Sequence, residues 1–124
     1  MDRKLIANIL GKKDSVDLDD SIYNLRDITE DFRDIILLSL NIEEEFIVKN
    51  KRRLNAIYDI LTPLLDKLTD DIYIQGYTNS KKHLAKYISD ICTHISEVIP
   101  SMESNDMKKF IYHSNMLIDL VLVY

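Results

Sequence analysis

Residues 54–72, LNAIYDILTPLLDKLTDDI, decide the class of this protein. Leu54, Ile57, Tyr58, Leu61, Leu64, Leu65, Leu68 and Ile72 recur at intervals of three and four. That spacing puts all eight on one face of a helix. Thr62-Pro63 interrupts the stretch, and a proline there either kinks one long helix or opens a new one capped by Thr62. The apolar stripe keeps its phase across Pro63, which favours one kinked helix.

Working outward, the same periodicity covers most of the chain. Leu18, Ile22, Leu25, Ile28, Phe32, Ile35 and Ile36 mark a helix over about 18–40. The mostly polar stretch 12–17 reads as a loop before it. Asn41 with Glu44 has the form of a capping box, so a new helix is expected at Ile42 unless the preceding one runs on through Phe46. Residues 73–80, with Gly76 at their centre, read as the clearest interhelix loop. Leu84, Tyr87, Ile88, Ile91, Ile95 and Val98 follow on a helix expected to stop before Pro100. A polar turn over 101–106 leads to a last helix carrying Met107, Phe110, Ile111, Leu117, Ile118 and Val121. Leu5, Ile6, Ile9 and Leu10 form a short N-terminal helix that Gly11 ends. Four long stripes and one short one predict an all-α fold, an antiparallel bundle of four main helices plus a short N-terminal helix across one end or groove. With 124 residues and no visible linker or repeat, residues 1–124 read as one domain.

The net charge is −5, unevenly spread. Residues 1–13 carry +3, 14–48 carry −9, 49–53 carry +4 and 54–124 carry −3. The acidic block opposes binding to a phosphate backbone over most of the surface, so nucleic acid is not the expected partner. Lys49, Lys51, Arg52 and Arg53 are the one dense basic cluster, and intramolecular ion pairs with the acidic segment are their expected fate. No apolar run approaches the ~20 residues that span a bilayer. The segment Leu5–Leu10 is too short for a secretory core and has no small-residue cleavage site. A cytoplasmic protein is expected. Cys92 is alone and sits between Ile88 and Ile95 on the helical pattern, which predicts a buried, inert thiol.

No residue constellation points to catalysis. The residues three before His83, His94 and His113 are Ser80, Ile91 and Phe110, so the Glu-x-x-His pairs of di-iron bundles are missing. His83 and His94 are too far apart along one helix for one metal. Asp27, Glu30, Asp31 and Asp34 lie on neighbouring turns of the second helix, where Mg²⁺ for phosphate chemistry is conceivable; a solvated acidic face is the plainer reading. Only Gly11 and Gly76 are present, which leaves no Gly-rich phosphate loop. The expectation is a protein that is not an enzyme and needs no metal or cofactor. In size, acidity and helical layout the chain resembles the small bundle chaperones of flagellar and type III export, and helical adaptor domains. That resemblance implies a chaperone-like or adaptor role. The Asn-Trp-Gly-Arg type motif of viral cell-death regulators is absent, the chain having no Trp.

A protein–protein interaction module is therefore the leading reading. It would bind a partner helix or disordered segment, or a second copy as a homodimer, by apolar anchors in a groove. Expected contact residues are Leu5, Ile9 and Leu10 on a detachable N-terminal helix, with Leu120, Val123 and Tyr124 at the apolar C-terminal end. Tyr73 and Tyr77 join them, because tyrosines bring large contact area at low entropy cost. The alternatives are a metal-dependent nucleotide phosphohydrolase using the second-helix carboxylates and a nucleic-acid-binding regulator using residues 49–53.

Overall fold

The computed structural model describes residues 1–76 and 78–124, with Gln75 described in its backbone alone. Among the described residues there are five helices and no strand: α1 (Arg3–Leu10), α2 (Lys12–Leu37), α3 (Glu44–Gln75), α4 (Asn79–Glu103) and α5 (Met107–Leu122). Cross-helix contacts fix their directions. Asp14 and Asp31 of α2 meet Lys67 and Arg53 of α3. Asp71 and Lys51 of α3 meet Lys81 and Glu103 of α4. Tyr87 and His94 of α4 meet Leu120 and His113 of α5. Phe110 and Tyr124 then return to Phe32 and Asp19 of α2. Each pairing runs one residue number up as the other runs down. The four long helices therefore form an up-down-up-down ring in which α5 closes back on α2, as four amphipathic stripes with short connections must.

The core is the sum of those stripes. Leu18, Ile22, Leu25, Ile28 and Phe32 from α2 meet Leu54, Leu61 and Leu68 from α3, Leu84, Ile88, Ile91 and Ile95 from α4, and Phe110 and Leu117 from α5. Burying each of these side chains contributes about 1.5–3 kcal/mol. Cys92 lies among them, and burial pushes its thiol up to about 11. Reactive thiolate is correspondingly scarce at neutral pH.

Several helix boundaries differ from the sequence expectation. Residues 12–17 are not a loop: α2 begins at Lys12. Its first turns bury Ser15 and Leu18, and Ser15 satisfies its hydroxyl on the Lys12 carbonyl at 2.9 Å. A small polar residue on the inward face carries no hydrophobic signal. The break from α1 is a single residue, Gly11, with φ +87°. No atom lies within 4 Å of where its Cβ would be, so conformation rather than space demands glycine there.

The α2–α3 connection falls at residues 38–43, and α3 starts at Glu44 behind Glu43 rather than from an Asn41 capping box. The end of α2 is a left-handed cap: Ser39 has φ +51°, and the Leu40 N–H donates to the Ile35 carbonyl. Helix α4 likewise does not stop before Pro100. It continues through Pro100 to Glu103, because Pro100 faces solvent while Ser101 and Met102 on the next turn are buried. Water can satisfy the Ser96 carbonyl that the proline leaves without a donor. Asn105, at φ +55°, then turns the chain, and Asp106 caps α5. The expected loop 73–80 shrinks, since α3 reaches Gln75 and Thr78 already caps α4 by accepting from the Lys81 N–H. Pro63 sits inside one unbroken α3, and the Thr62 hydroxyl donates to the Tyr58 carbonyl at 2.8 Å.

Candidate interaction surface

The short α1 lies across the end of the bundle where α2 and α4 begin and α3 and α5 finish. Asp2 caps it by accepting from the Lys4 and Leu5 N–H groups. Ile6 is its anchor, 3% exposed within the core. Arg3 reaches Asp19 at 2.9 Å and lies over the Tyr124 ring, 4.4 Å from its centroid. The Tyr124 hydroxyl donates to the Asp19 carboxylate, and its ring stacks on Tyr87 at 5.9 Å. The Tyr87 hydroxyl in turn donates to the Leu120 carbonyl at 2.6 Å. The expectation of a detachable N-terminal helix is therefore corrected: a buried isoleucine and an Arg3–Tyr124–Asp19 cluster tie α1 down.

Burial holds both tyrosine hydroxyls protonated well above the ordinary phenol value, and for Tyr124 the bond to Asp19 adds to it. The folded chain thus keeps protons that the unfolded chain releases near pH ~10. The stability gained this way is complete below about pH 10 and drains away as pH rises beyond it. Urea midpoints should fall between about pH 9 and pH 11, more steeply in the native chain than in a Tyr87→Phe, Tyr124→Phe double variant. Equal slopes in the two proteins would refute this assignment.

The described residues expected to bind a partner lie at the end of the bundle where α1 sits and where α3 and α5 finish, and several of them are turned inward. Ile9, Leu10, Leu120 and Tyr124 are half-buried and pack against the core. Leu5 and Val123 keep substantial exposure. Leu5, Ile9 and Leu10 line an open cleft of about 680 Å³ with Leu68 of α3 and Lys81 of α4. Tyr73, in the last turn of α3 at this same end, is 87% exposed. Tyr77 lies outside the described residues.

A different apolar surface emerges between α2 and α5. Leu37 is 71% exposed and Leu122 73% exposed, and with Ile36 and Ile118 they line a groove whose polar members are Arg33 and Asn115. Leu38 and Leu40, just past the end of α2, are exposed beside Leu37. The periodic pattern hid this surface, because Ile36 and Leu37 continue the stripe of α2 past the point where the bundle covers it. The unusual signal was the run Ile35-Ile36-Leu37-Leu38, too apolar for one face of a helix.

Three members of the basic cluster are engaged within the chain. Lys49 and Arg53 both approach Asp31, at 3.9 and 3.5 Å, and Lys51 meets Glu103 at 3.0 Å. Arg53 also donates to the buried Asn50, whose amide donates to the Phe46 carbonyl. Such exposed pairs contribute about 0–1 kcal/mol each. Asp27, Glu30 and Asp34 of α2 are exposed. Among the described residues no group of three or more His, Cys, Asp and Glu side chains converges as a metal cage would require. None of the described helices is long and apolar enough to cross a membrane.

One constellation escaped the sequence reading. His94 of α4 and His113 of α5 face each other with their Nδ1 atoms 3.0 Å apart. Tyr112 stands edge-on to both rings. Burial, and secondarily the neighbouring His113, lower the His94 imidazole below its usual value, against the opposing pull of Asp90 and Glu97. Spacing within one helix separates His83 from His94. Only the register of the α4–α5 hairpin brings His94 to His113.

Comparison of the chain with protein-family models, with curated proteins and with solved structures gives no match.

Proposed function

We propose that this protein is a non-enzymatic interaction module whose α2–α5 groove takes an amphipathic helix or disordered segment of another protein. The observation that carries this reading is the exposed apolar strip of Leu37 and Leu122 with Ile36 and Ile118 beneath it. An apolar groove rimmed by polar side chains is a frequent mark of a binding site. A helix presenting apolar residues at i, i+3/i+4 and i+7 matches a groove between two antiparallel helices. Arg33 at the groove favours an acidic residue beside those anchors. The exposed Leu38 and Leu40 extend the strip toward the turn between α2 and α3. An adaptor or chaperone-like role accords with such a surface, and a second copy of the chain is the competing occupant.

The test is a Leu37→Glu, Leu122→Glu double variant. Both side chains face water, so urea stability should shift by no more than about 0.5 kcal/mol per site. Proteins cross-linked to the native chain in the cells that make it should be absent from the variant. Light scattering on each pure form identifies self-association if the partner is a second copy. An identical set of cross-linked proteins and an identical mass for both forms would overturn the reading.

A further inference from the structure

We infer that His94 and His113 form a two-point site for a borderline transition-metal dication of the Zn²⁺ class, which clips α4 to α5. This site is separate from the α2–α5 groove, and its failure would leave the interaction reading untouched.

The geometry is that of a chelate. The two Nδ1 atoms lie 3.0 Å apart on antiparallel neighbouring helices. A metal bound at about 2.0–2.1 Å by two imidazoles separates their nitrogens by about 2.9 Å at a right angle and about 3.4 Å at a tetrahedral angle. The observed spacing falls within that range, so the two nitrogens already stand at the bite distance of a chelate and the rings need to turn rather than to approach. In the metal-free pair, one Nδ1 must carry a proton and donate it to the other. A dication can take the place of that shared proton when the donating ring moves its proton from Nδ1 to Nε2 through solvent, so that both rings ligate as neutral imidazoles and no net proton is released.

The surroundings favour a cation and leave room for it. Both rings are half-buried, which restricts their rotamers without sealing them from water. Asp90 and Glu97 lie one turn before and one turn after His94 on the same face of α4, and their negative charge is felt at its ring. Asp90 is shared with Lys86 at 2.8 Å, and it acts through its field rather than as a ligand. Lys109, one turn before His113, is exposed to solvent. With two protein nitrogens, water fills the other coordination positions. Imidazole donors suit Zn²⁺, Ni²⁺ and Cu²⁺ and not Mg²⁺ or Ca²⁺.

The experiment titrates the full chain with Zn²⁺ alone, following heat and the histidine ring resonances. One ion per chain should bind, and the His94 and His113 rings should shift together while His83 does not. His94→Gln and His113→Gln should each weaken binding by at least about tenfold, since even outer-shell changes produce losses of that order. His83→Gln should bind as the native chain does. Zn²⁺ should also raise the thermal midpoint of the native chain, by preferential binding to the folded state, and not that of either His94 or His113 variant. The ring resonances of the native protein answer the question even if a variant folds poorly. Absence of a joint shift of the two rings, or unchanged binding in both variants, would overturn the site.

Discussion

Replacing Phe32 by Ala is expected to lower the free energy of unfolding by about 3–5 kcal/mol. Phe32 is wholly buried at the place where three helices meet. Its ring sits 5.2 Å from that of Phe110 on α5, edge-on, and 5.9 Å from that of Phe46 on α3. Edge-on aromatic pairs contribute about 0.5–1.5 kcal/mol beyond the area they bury. Truncation to Ala removes both and leaves a void that neighbouring helices close only in part. Because a domain of this kind is stable by about 5–15 kcal/mol in total, the variant should unfold at a much lower urea concentration. Tyr73→Ala is the matched control: an aromatic is again removed, but from a site facing water, and the expected change is within about 0.5 kcal/mol. A Phe32→Ala loss below about 1 kcal/mol would mean that the aromatic cluster does not hold α2, α3 and α5 together.

Deleting residues 1–11 is the second large effect. The loss of Ile6 from the core removes about 1.5–3 kcal/mol, and the half-buried Ile9 and Leu10 bring the expected total to about 3–5 kcal/mol. The Arg3–Asp19 pair and the stacking of Arg3 on Tyr124 disappear with them. The same deletion uncovers the face of α2 against which α1 packs and frees the Val123–Tyr124 end, so light scattering should find the truncated form, rather than the full chain, prone to associate. An unchanged urea midpoint would return α1 to the status of a separable element.

The all-α class, the existence of four long helices and nearly all of the core were legible from spacing alone. Leu18, Ile22, Leu25, Ile28 and Phe32 on α2, and Leu54, Ile57, Leu61, Leu64 and Leu68 on α3, are buried where the pattern put them. The boundaries were less legible for specific reasons. Ser39 and Asn105 take the left-handed caps that glycine usually marks, so neither turn announces itself. Ser15 and Ser21 are polar residues on a buried face, which the apolar count passes over. Pro100 reads as a stop, yet α4 runs through it to Glu103 and buries Ser101 and Met102.

What the sequence determined by itself was therefore each helix's inward face, because periodicity within one helix depends only on residues a few positions apart. It determined the charge layout for the same reason, and Lys49 and Arg53 meet Asp31 of the acidic segment as expected, while Lys51 pairs instead with Glu103 of α4. The tertiary structure alone decided which faces stay uncovered and which residues meet across helices. The Leu37–Leu122 strip and the His94–His113 pair each join positions on two helices whose relative register is set by packing of the whole core. No local pattern encodes that register, since a shift of one turn between α4 and α5 would part the histidines while leaving every helical stripe intact.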